Sequence, residues 1–487
     1  MENVMGSMGW RVVVATVAVV WAGVASGKII YVDDDANGPG DGCSWATAYK
    51  YLQDALADAN SSPKPVEVRV AQGVYRPDEG GGQTVGDPEA TFGLLNDVAL
   101  RGGYAGLAGS DPNARDIGCF ETVLSGDIGI PDFFWDNVCH VVTSSGTDAT
   151  AVLEGFTIRD GRAECWYFPG DFGGGILNFG SPLISRCRFE GNTAFNKGAG
   201  VYSHTGSPVF TECVFVGNGG GGTVPTTSHR TVSGGAIDCA RGATLRVVKC
   251  VFAGNTASQG AAIDCSYAAA FVENCFFSGN RGFFFDGSGG GAVYSYRGSV
   301  AIHNSILWGN FDTVESRERA QVGVDEGQLE IHFSCVEGWT GNLAGVGNIG
   351  SDPYIVNGGY WGDSNDPNLA VDWRRLKNVV WVDGDYHLKS QAGRWLTDEG
   401  RWTTDAVTSP CIDVGDPMSP VGLEPFPNGG RVNMGAYGGT GEASKSYFGG
   451  PLCETIVAGD VNGDCRVDFA DVALLMVHWL ADGAQAQ

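Results

Sequence analysis

Apolar, small and polar positions recur in a fixed order between Gly173 and Asn310, and the order is written five times. Each copy opens on small residues followed by a β-branched one, as in GGAI ending at Ile237, and closes on a signature such as CVFAGN ending at Asn255. Successive openings lie 25, 36, 26 and 30 residues apart. A period of this length is typical of a solenoid, in which each copy forms one coil stacked on the one before.

Alternation along each strand predicts which side chains share a face, and like residues should stack from coil to coil about 4.8 Å apart. The closing strands are predicted to send two rows inward: Phe189, Phe215, Phe252, Phe277, Leu307 and Cys187, Cys213, Cys250, Cys275, Ser305. The opening strands add two more: Ile176, Val201, Ile237, Ile263, Val293 and Asn178, Ser203, Cys239, Cys265, Ser295. The terminal asparagines are expected to form an amide ladder at a turn: Asn192, Asn218, Asn255, Asn280 and Asn310.

The residues before the repeats predict an end to the solenoid. KIIYV at Lys28–Val32 is predicted to be the first strand, and residues 45–59 place their apolar side chains on one face of a helix. An end coil would otherwise expose its core and a free strand edge, so we predict that this helix caps the N-terminus. Strands of early, irregular coils are predicted at Val66–Tyr75 and Val98–Tyr104.

The pairing of GGA[ILV] openings with FxxN closings resembles the repeats of right-handed parallel β-helix proteins of the polymorphic outer-membrane-protein type. The resemblance spans 28–447 and is strongest in 173–310, with single copies departing at GAGV, GAAI and LWGN. It implies an all-β, pectate-lyase-like solenoid that is secreted or exposed at the cell surface, and it implies no particular activity. We predict a cap with irregular coils at 28–150, regular coils at 151–350, and closing coils with a cover at 351–447.

The N-terminus and the composition indicate an exported protein. Residues 1–27 contain an apolar run after Arg11, VVVATVAVVWAGVA, which predicts a signal peptide; an uncleaved anchor is the alternative. All 14 cysteines follow it, which would place them in an oxidising compartment. A net charge of −26 at pH 7 argues against nucleic acid or an anionic membrane as a partner. No later stretch is long and apolar enough to predict a membrane span after signal cleavage.

The C-terminal residues 448–487 contain the sharpest chemical motif, GDVNGDCRVDFADVALLMVHWL. Its oxygen donors follow EF-hand-like spacing, which suits Ca²⁺. The predicted ligands are Asp460, Asn462, Asp464, the Arg466 carbonyl, Asp468 and Asp471. The motif resembles a dockerin type I repeat, which implies a cohesin-like or other surface-anchoring partner. A dockerin carries two repeats and this chain has one; Cys465 replaces the usual glycine, which a Cys453–Cys465 disulfide would accommodate.

Loops that join each asparagine to the next opening should meet at one corner of the solenoid. Aromatic side chains in these loops are the candidate ligand-binding residues: Trp166, Tyr167, Phe168, Phe172, Phe195, Phe283, Phe284 and Phe285. Aromatic rings clustered on one face can stack on sugar rings or form a protein interface. Packing of these rings against one another, or beneath the C-terminal segment, is the alternative.

Catalytic candidates are few. Asp238 and Asp264 alternate with inward residues in neighbouring coils, so we expect both to face outward into solvent, about 5 Å apart. Such a pair could serve acid–base glycoside chemistry or hold calcium, but a solvated repeat position is favoured. We therefore expect a non-catalytic protein that binds glycans or a protein partner, with Ca²⁺ as its cofactor. A polysaccharide lyase or glycoside hydrolase acting on acidic polysaccharides is the alternative.

Overall fold

The computed structural model describes residues 27–38, 40–165, 168–219, 233–283, 290–313, 316–372, 379–449, 459, 461 and 466–482, without the side chains of 474 and 477–482. Three long parallel sheets, A, B and C, dominate these ranges. Sheet A contains Lys28–Val32, Val66–Ala71, Val98–Tyr104, Val152–Glu154, Leu183–Ser185, Val209–Thr211, Thr244–Val248, Ala269–Glu273, Ser299–His303 and Gln328–His332. Sheet B contains Gly73–Tyr75, Thr122–Ser125, Thr157–Arg159, Arg188–Glu190, Val214–Val216, Val251–Ala253, Phe276–Ser278, Ile306–Leu307 and Cys335–Val336. Sheet C contains Phe92–Gly93, Val142–Ser145, Ile176–Phe179, Val201–Ser203, Ile237–Ala240, Ile263–Ser266, Val293–Tyr296 and Val322–Asp325.

The chain visits the three sheets in the same order in every regular coil. It passes from Ile176–Phe179 in sheet C to Leu183–Ser185 in sheet A and Arg188–Glu190 in sheet B, then returns to sheet C at Val201–Ser203. Two short parallel ladders follow the asparagine turns, joining Arg162–Ala163 to Thr193–Ala194 and Thr256–Ala257 to Arg281–Gly282. Successive parallel strands separated by one coil define a parallel β-helix, and the predicted all-β solenoid is confirmed.

The predicted phenylalanine row lies in the core of the helix. Phe189, Phe215, Phe252 and Phe277 are fully buried, with neighbouring ring centroids 4.6, 4.8 and 4.8 Å apart and almost coplanar rings. Leu307 continues the row beyond Phe277. Burial of each such side chain contributes about 1.5–3 kcal/mol relative to an exposed one, so this row is explained by stability.

The asparagine ladder forms as predicted, and every rung is buried. From Asn192 to Asn310, each Nδ2 donates to the Oδ1 of the next asparagine at 3.0, 3.0, 2.9 and 2.8 Å. The same Oδ1 atoms accept backbone N–H groups, and each Nδ2 also donates to a backbone carbonyl of the preceding coil, as Asn255 does to Phe215. The ladder thus satisfies the buried polar groups of a tight turn, which would otherwise be costly.

The cysteine row is structural. Cys187, Cys213, Cys250 and Cys275 are buried free thiols. Backbone N–H groups donate from Cys213 to Cys250 Sγ at 3.3 Å, from Cys250 to Cys275 Sγ at 3.4 Å, and from Cys275 to the Ser305 hydroxyl at 3.0 Å. Sulfur and hydroxyl therefore serve as interchangeable acceptors along one inward row.

The helix predicted at 45–59 is wrong in its first half. Trp45–Thr47 is a 3₁₀ turn, and helix α1 covers Leu52–Ser61. Tyr49 between them is extended, because its N–H donates to the Tyr31 carbonyl and its own carbonyl accepts from Asp33. Pairing with the first strand of sheet A thus outweighs the helical pattern. Leu52, Ala55, Leu56 and Ala59 of α1 are buried in the main core.

One further coil follows Asn310, comprising Val322–Asp325, Gln328–His332 and Cys335–Val336 after the short helix α2 at Arg317–Gln321. Beyond it, the described strands pair antiparallel with one another: Ile355–Asn357 with Asp385–Leu388, Tyr360–Asp363 with Asp366–Ala370 and Val379–Val382, and Arg394–Leu396 with Arg401–Thr403. None of these strands extends a parallel sheet, so the described part of 351–447 contributes no closing coil.

This segment covers the outward face of sheet B. Val251 and Phe276 on sheet B share a buried cluster with Tyr386, Cys411 and Met434 of the segment. Near the C-terminus, helix α3 covers Phe469–Asp482. No helix among the described residues has the length and apolar character that a membrane crossing requires.

Candidate functional site

A short ladder of isolated bridges runs along the corner just before sheet C. Phe172 pairs with Lys197, Lys197 with Ser233, and Ser233 with Gln259, one residue per coil. The glycine-rich openings place this ladder beside the strands of sheet C, because Gly198 and Gly234 adopt positive φ angles of 61° and 63° and would bring a Cβ within 2.5 Å of backbone. Polar side chains of the ladder consequently reach the outward face of sheet C.

Asp238 and Asp264 lie on that outward face in direct register, and the prediction that they are solvated is wrong. Both carboxyl groups are fully buried. Asp238 Oδ2 accepts from the Ser233 hydroxyl at 2.7 Å and from Lys197 Nζ at 3.2 Å. Asp264 accepts from Ser266 Oγ at 2.6 Å and from Gln259 Nε2 at 3.2 Å.

The prediction failed because the cover comes from distant parts of the chain. Lys197 is 41 residues from Asp238 in sequence, and alternation along one strand carries no information about it. Asp238 Oδ1 is buried and has no hydrogen-bond partner in the described part of the chain. The pair is therefore a desolvated carboxylate site with one lysine as its counter-ion.

Burial and mutual repulsion set the protonation of this pair. Burial, followed by the charge of Asp238, raises the pKa of Asp264 to about 7, although Lys197 acts in the opposite direction. Burial also raises the pKa of Asp238, against the opposing effect of Lys197 and the Ser233 hydroxyl. The Asp238 carboxylate raises the pKa of Lys197. Near neutral pH the arrangement holds a Lys197–Asp238 ion pair beside a carboxyl group that can carry a proton.

An aromatic group lies next to the pair on sheet C. Tyr202 precedes Asp238 in the same outward row, in register with it. Its ring contacts Phe172 at 4.7 Å between centroids, and its hydroxyl lies 2.9 Å from His204 Nδ1. Phe168 contacts Phe172 at 5.3 Å and His204 at 5.8 Å, and Phe179 contacts His204 at 5.1 Å. We call these residues the Phe168 cluster: Phe168, Phe172, Phe179, Tyr202 and His204.

Within the cluster only Phe168 is largely exposed, at 59%. Tyr202 is buried, and burial raises its pKa to about 12. Burial and the positive charge of Arg241 lower the pKa of His204, which is thus neutral at pH 7. The cluster presents one aromatic ring to solvent on a rigid base that carries a neutral imidazole and a phenol.

Among the predicted aromatic residues, Phe168 and Phe172 contact each other. Phe195 and Phe283 are half-buried. Trp166, Tyr167, Phe284 and Phe285 lie outside the described residues. Tyr202, Phe179 and His204 were not predicted as ligand-binding residues, although the position of Tyr202 directly after the GAGV opening, equivalent to Asp238, was a usable signal.

In the described part of the C-terminal motif, two backbone groups that precede α3 bond to the Asp471 carboxylate. Asp471 is buried and accepts backbone N–H groups from Val461 at 2.6 Å and Asp468 at 2.8 Å. Its position at the start of α3 turns the carboxylate back towards the loop. Asp460, Asn462, Asp464, Cys453 and Cys465 lie outside the described residues. Arg466 and Asp468 are exposed.

A second acidic group, Asp33, Asp34 and Asp35, brings three carboxylate oxygens within 4.8 Å of one another. Two of these side chains already anchor loops, since Asp33 accepts from the Leu107 N–H at 2.6 Å and Asp34 from the Val74 N–H at 3.0 Å. This group is explained by the connection of the first coils. A disulfide that the sequence did not predict joins Cys139 to Cys165 at the corner that also carries Phe168.

Comparison with known proteins gives limited matches. A family model described as "Disaggregatase related" matches residues 357–415, within the segment that covers sheet B. The structure is similar to that of pectate lyase Pel9A, with 14% identity and a TM-score of 0.34, over 85% of this chain and 97% of that chain. It is also similar to the pectin methylesterase from Aspergillus niger in deglycosylated form, with 14% identity and a TM-score of 0.31, over 68% of this chain and 88% of that chain. No curated protein matches the chain at a significant level.

Proposed function

We propose that the protein is a secreted or cell-surface parallel β-helix that binds a glycan at the corner beside sheet C. The observation that carries this proposal is Phe168, which is 59% exposed while its ring rests on Phe172 and His204. An isolated exposed phenylalanine needs no explanation, but a ring held by two others is pre-ordered. Such a ring offers a flat apolar face at low entropic cost.

Sugar rings suit this surface better than charged ligands do. The apolar face of a pyranose stacks on an aromatic ring, while its hydroxyl groups need neutral donors and acceptors. The neutral, half-buried His204 imidazole supplies such a group beside Phe168, and the hydroxyl of the buried Tyr202, 2.9 Å from His204 Nδ1, holds the imidazole in place. A chain with a net charge of −26 repels polyanions at long range, so we expect neutral glycans to bind more tightly than acidic ones.

The second candidate function is polysaccharide cleavage at the same corner. It is favoured by Lys197, Asp238 and Asp264, because a carboxyl group with a pKa of about 7 beside an ionised one is the arrangement that acid–base glycoside chemistry uses. Full burial of both carboxyl groups weighs against it, since neither reaches solvent. Binding without turnover therefore remains the first proposal.

We further propose that the C-terminal module binds Ca²⁺ and tethers the β-helix to a cohesin-like or other surface partner. Asp471, a predicted ligand, accepts the N–H groups of Val461 and Asp468, which supports the proposal, and the oxygen donors in the sequence of the motif suit calcium. Export by the 1–27 signal peptide and capping of the first coil by α1 belong to the same proposal. The burial of Leu52 and Leu56 of α1 in the main core supports the capping role.

Affinity electrophoresis against soluble xylan, mannan, mixed-linkage glucan and polygalacturonate tests the binding proposal. We expect retardation by at least one neutral polysaccharide, reduced in Phe168→Ala. Phe271→Ala is the matched control, because Phe271 is a phenylalanine 46% exposed on the outward face of sheet A. Equal retardation of wild type and Phe168→Ala would contradict the proposal.

The same polysaccharides separate binding from cleavage. Incubation followed by reducing-end measurement should show no product if the protein only binds. Product that disappears in Asp264→Asn, with binding retained, would instead favour the enzyme.

A further inference from the structure

A second group of exposed aromatic side chains lies in the loop at residues 130–136, which we call the Trp135 loop. Ile130 is 62% exposed, Phe133 45%, Phe134 38% and Trp135 66%. Four large exposed apolar side chains within this one short loop are unusual on a soluble protein. They indicate that the loop contacts another molecule. The loop lies outside the regular repeats, so the repeat pattern does not reveal it.

The loop has a defined conformation. The Asp136 carboxylate accepts from the Ile130 N–H at 2.9 Å and closes the loop across its base. The Phe133 N–H donates to the Ile130 carbonyl at 3.0 Å, and the Asp136 N–H donates to the Phe133 carbonyl at 3.2 Å. Phe134–Asp136 is a 3₁₀ turn. These bonds place the exposed rings in advance of any binding event.

One cation fixes both rings of the turn. The guanidinium of Arg162 lies 4.4 Å from the Trp135 ring centroid and 4.9 Å from that of Phe134, and it forms an ion pair with Glu164. The Phe134 and Trp135 rings pack edge to face at 5.7 Å. The guanidinium covers one face of the indole, and an exposure of 66% leaves the other face open. This is the geometry of a stacking platform.

The Trp135 loop is tied to the Phe168 cluster. The Arg162 N–H donates to the Val138 carbonyl at 2.8 Å. The Cys139–Cys165 disulfide then joins the end of the Trp135 loop to the segment that carries Phe168, where the Cys165 N–H donates to the Gly170 carbonyl at 3.1 Å. Both aromatic surfaces thus belong to one corner of the β-helix. They lie about one to three coils apart along its axis, at about 5 Å per coil.

From this arrangement we infer that the Trp135 loop is a second sugar-binding subsite and that the ligand is an oligosaccharide or polysaccharide that stacks on Trp135 and Phe168 together. The inference rests on the glycan-binding function proposed above and specifies its ligand as a chain of several sugar residues. Four side chains of these sizes and exposures offer on the order of 400 Å², about half of what one side of a stable protein interface buries. A sugar ring needs far less area, and the exposed carboxylate of Asp132 and the half-buried one of Glu164 lie in the same loop region as hydroxyl acceptors.

Isothermal titration calorimetry with cello-, xylo-, manno- and galacturono-oligosaccharides of two to eight residues tests the inference. In wild type, the association constant should rise at least tenfold once the oligosaccharide is long enough to reach both platforms. Trp135→Ala should lose this rise, and the disaccharide binding that it retains should depend on Phe168 alone. Trp135→Phe should keep most of it, because a ring remains on Arg162. Phe271→Ala serves as the control, and thermal unfolding checks that each variant is folded.

The outcomes distinguish the inference from the function on which it rests. Binding that depends on Phe168 but has the same length dependence in wild type and Trp135→Ala would reject the second subsite and leave the proposed function standing. Absence of binding to every oligosaccharide would reject both. Self-association of the wild type that disappears in Trp135→Ala, without glycan binding, would assign the loop to a contact between copies of the chain and overturn the inference.

Discussion

The buried carboxyl pair allows a quantitative test of whether Asp264 carries a proton in the folded protein. Asp264 is fully buried in register with Asp238, and its pKa rises from the ordinary 3.8 to about 7. Asp264→Asn keeps the shape and the hydrogen-bonding capacity of the side chain but removes its titration. Any pH dependence of stability that Asp264 causes should therefore disappear in this variant.

The magnitude follows from linkage between protonation and folding. A pKa raised from 3.8 to about 7 corresponds to about 4 kcal/mol, at about 1.36 kcal/mol per pKa unit. Because the folded state binds the proton more tightly than the unfolded state, this contribution is fully present below the unfolded pKa and is lost as pH rises through the folded pKa. Relative to Asp264→Asn, wild type should lose up to about 4 kcal/mol of unfolding free energy between about pH 4 and pH 8.

Guanidinium chloride unfolding at several pH values, followed by tryptophan fluorescence, measures this difference. Asp325→Asn is the matched control, since Asp325 is an exposed aspartate on the last strand of the same sheet. Parallel stability curves for wild type and Asp264→Asn would refute the reasoning, because they would mean that Asp264 is ionised and solvated in both states. The result also bears on catalysis, since only a protonated Asp264 could act as a general acid beside Asp238.

Three further predictions concern other parts of the chain. Asn255→Ala should destabilise the protein by about 2–4 kcal/mol in denaturant unfolding, because it removes the acceptor of the buried Asn218 N–H and one donor to the Phe215 carbonyl, at about 1–2 kcal/mol each; exposed Asn342→Ala should have little effect. Burial opposes protonation of His387, but its bonds to Asp385 and Glu442 outweigh burial and raise its pKa above 6.5. The stability from its protonation should be present below pH 6.5, disappear as pH rises through the raised pKa, and be absent in His387→Gln, as melting at several pH values would show. Asp471→Ala should weaken calcium binding at least tenfold in calorimetry of the full chain, and unchanged affinity would remove Asp471 from the site.

The regular rows could be predicted because a solenoid repeats its register. Once Phe189 and Phe215 are equivalent in sequence, the coil geometry forces their rings into contact, and they stack at 4.6 Å. The same logic predicted the asparagine ladder and the role of Cys213 and Cys250. Each of these residues interacts with its own counterpart in the next coil, so one period of sequence contains the information.

The candidate site could not be predicted in this way. The environment of Asp238 is set by Lys197 and Ser233, which belong to corner loops of unequal length. The Trp135 loop depends on Arg162, and three strands lie between them in the chain: Val142–Ser145, Val152–Glu154 and Thr157–Arg159. Tyr49 shows the same limit at the N-terminus, since an edge strand decided its conformation against a helical pattern. Contacts between distant, non-repeating segments form the candidate site, and the repeat period gives no information about such contacts.

The three outward faces of the β-helix explain why a ligand should meet the corner beside sheet C. The segment after residue 350 occupies sheet B, where Phe276 packs on Tyr386 at 5.0 Å. Sheet A carries ion pairs such as Arg101–Glu154 at 2.6 Å and Arg246–Glu273 at 3.0 Å, which mutually satisfy their charges. The corner beside sheet C instead combines the exposed ring of Phe168 with Asp238 Oδ1, a buried oxygen that has no hydrogen-bond partner among the described residues. Phe168 packs on Phe172, which contacts the Tyr202 ring in register with Asp238, so loss of Phe168 should weaken binding and any cleavage alike. Cleavage that survives Phe168→Ala unchanged would place the chemistry elsewhere.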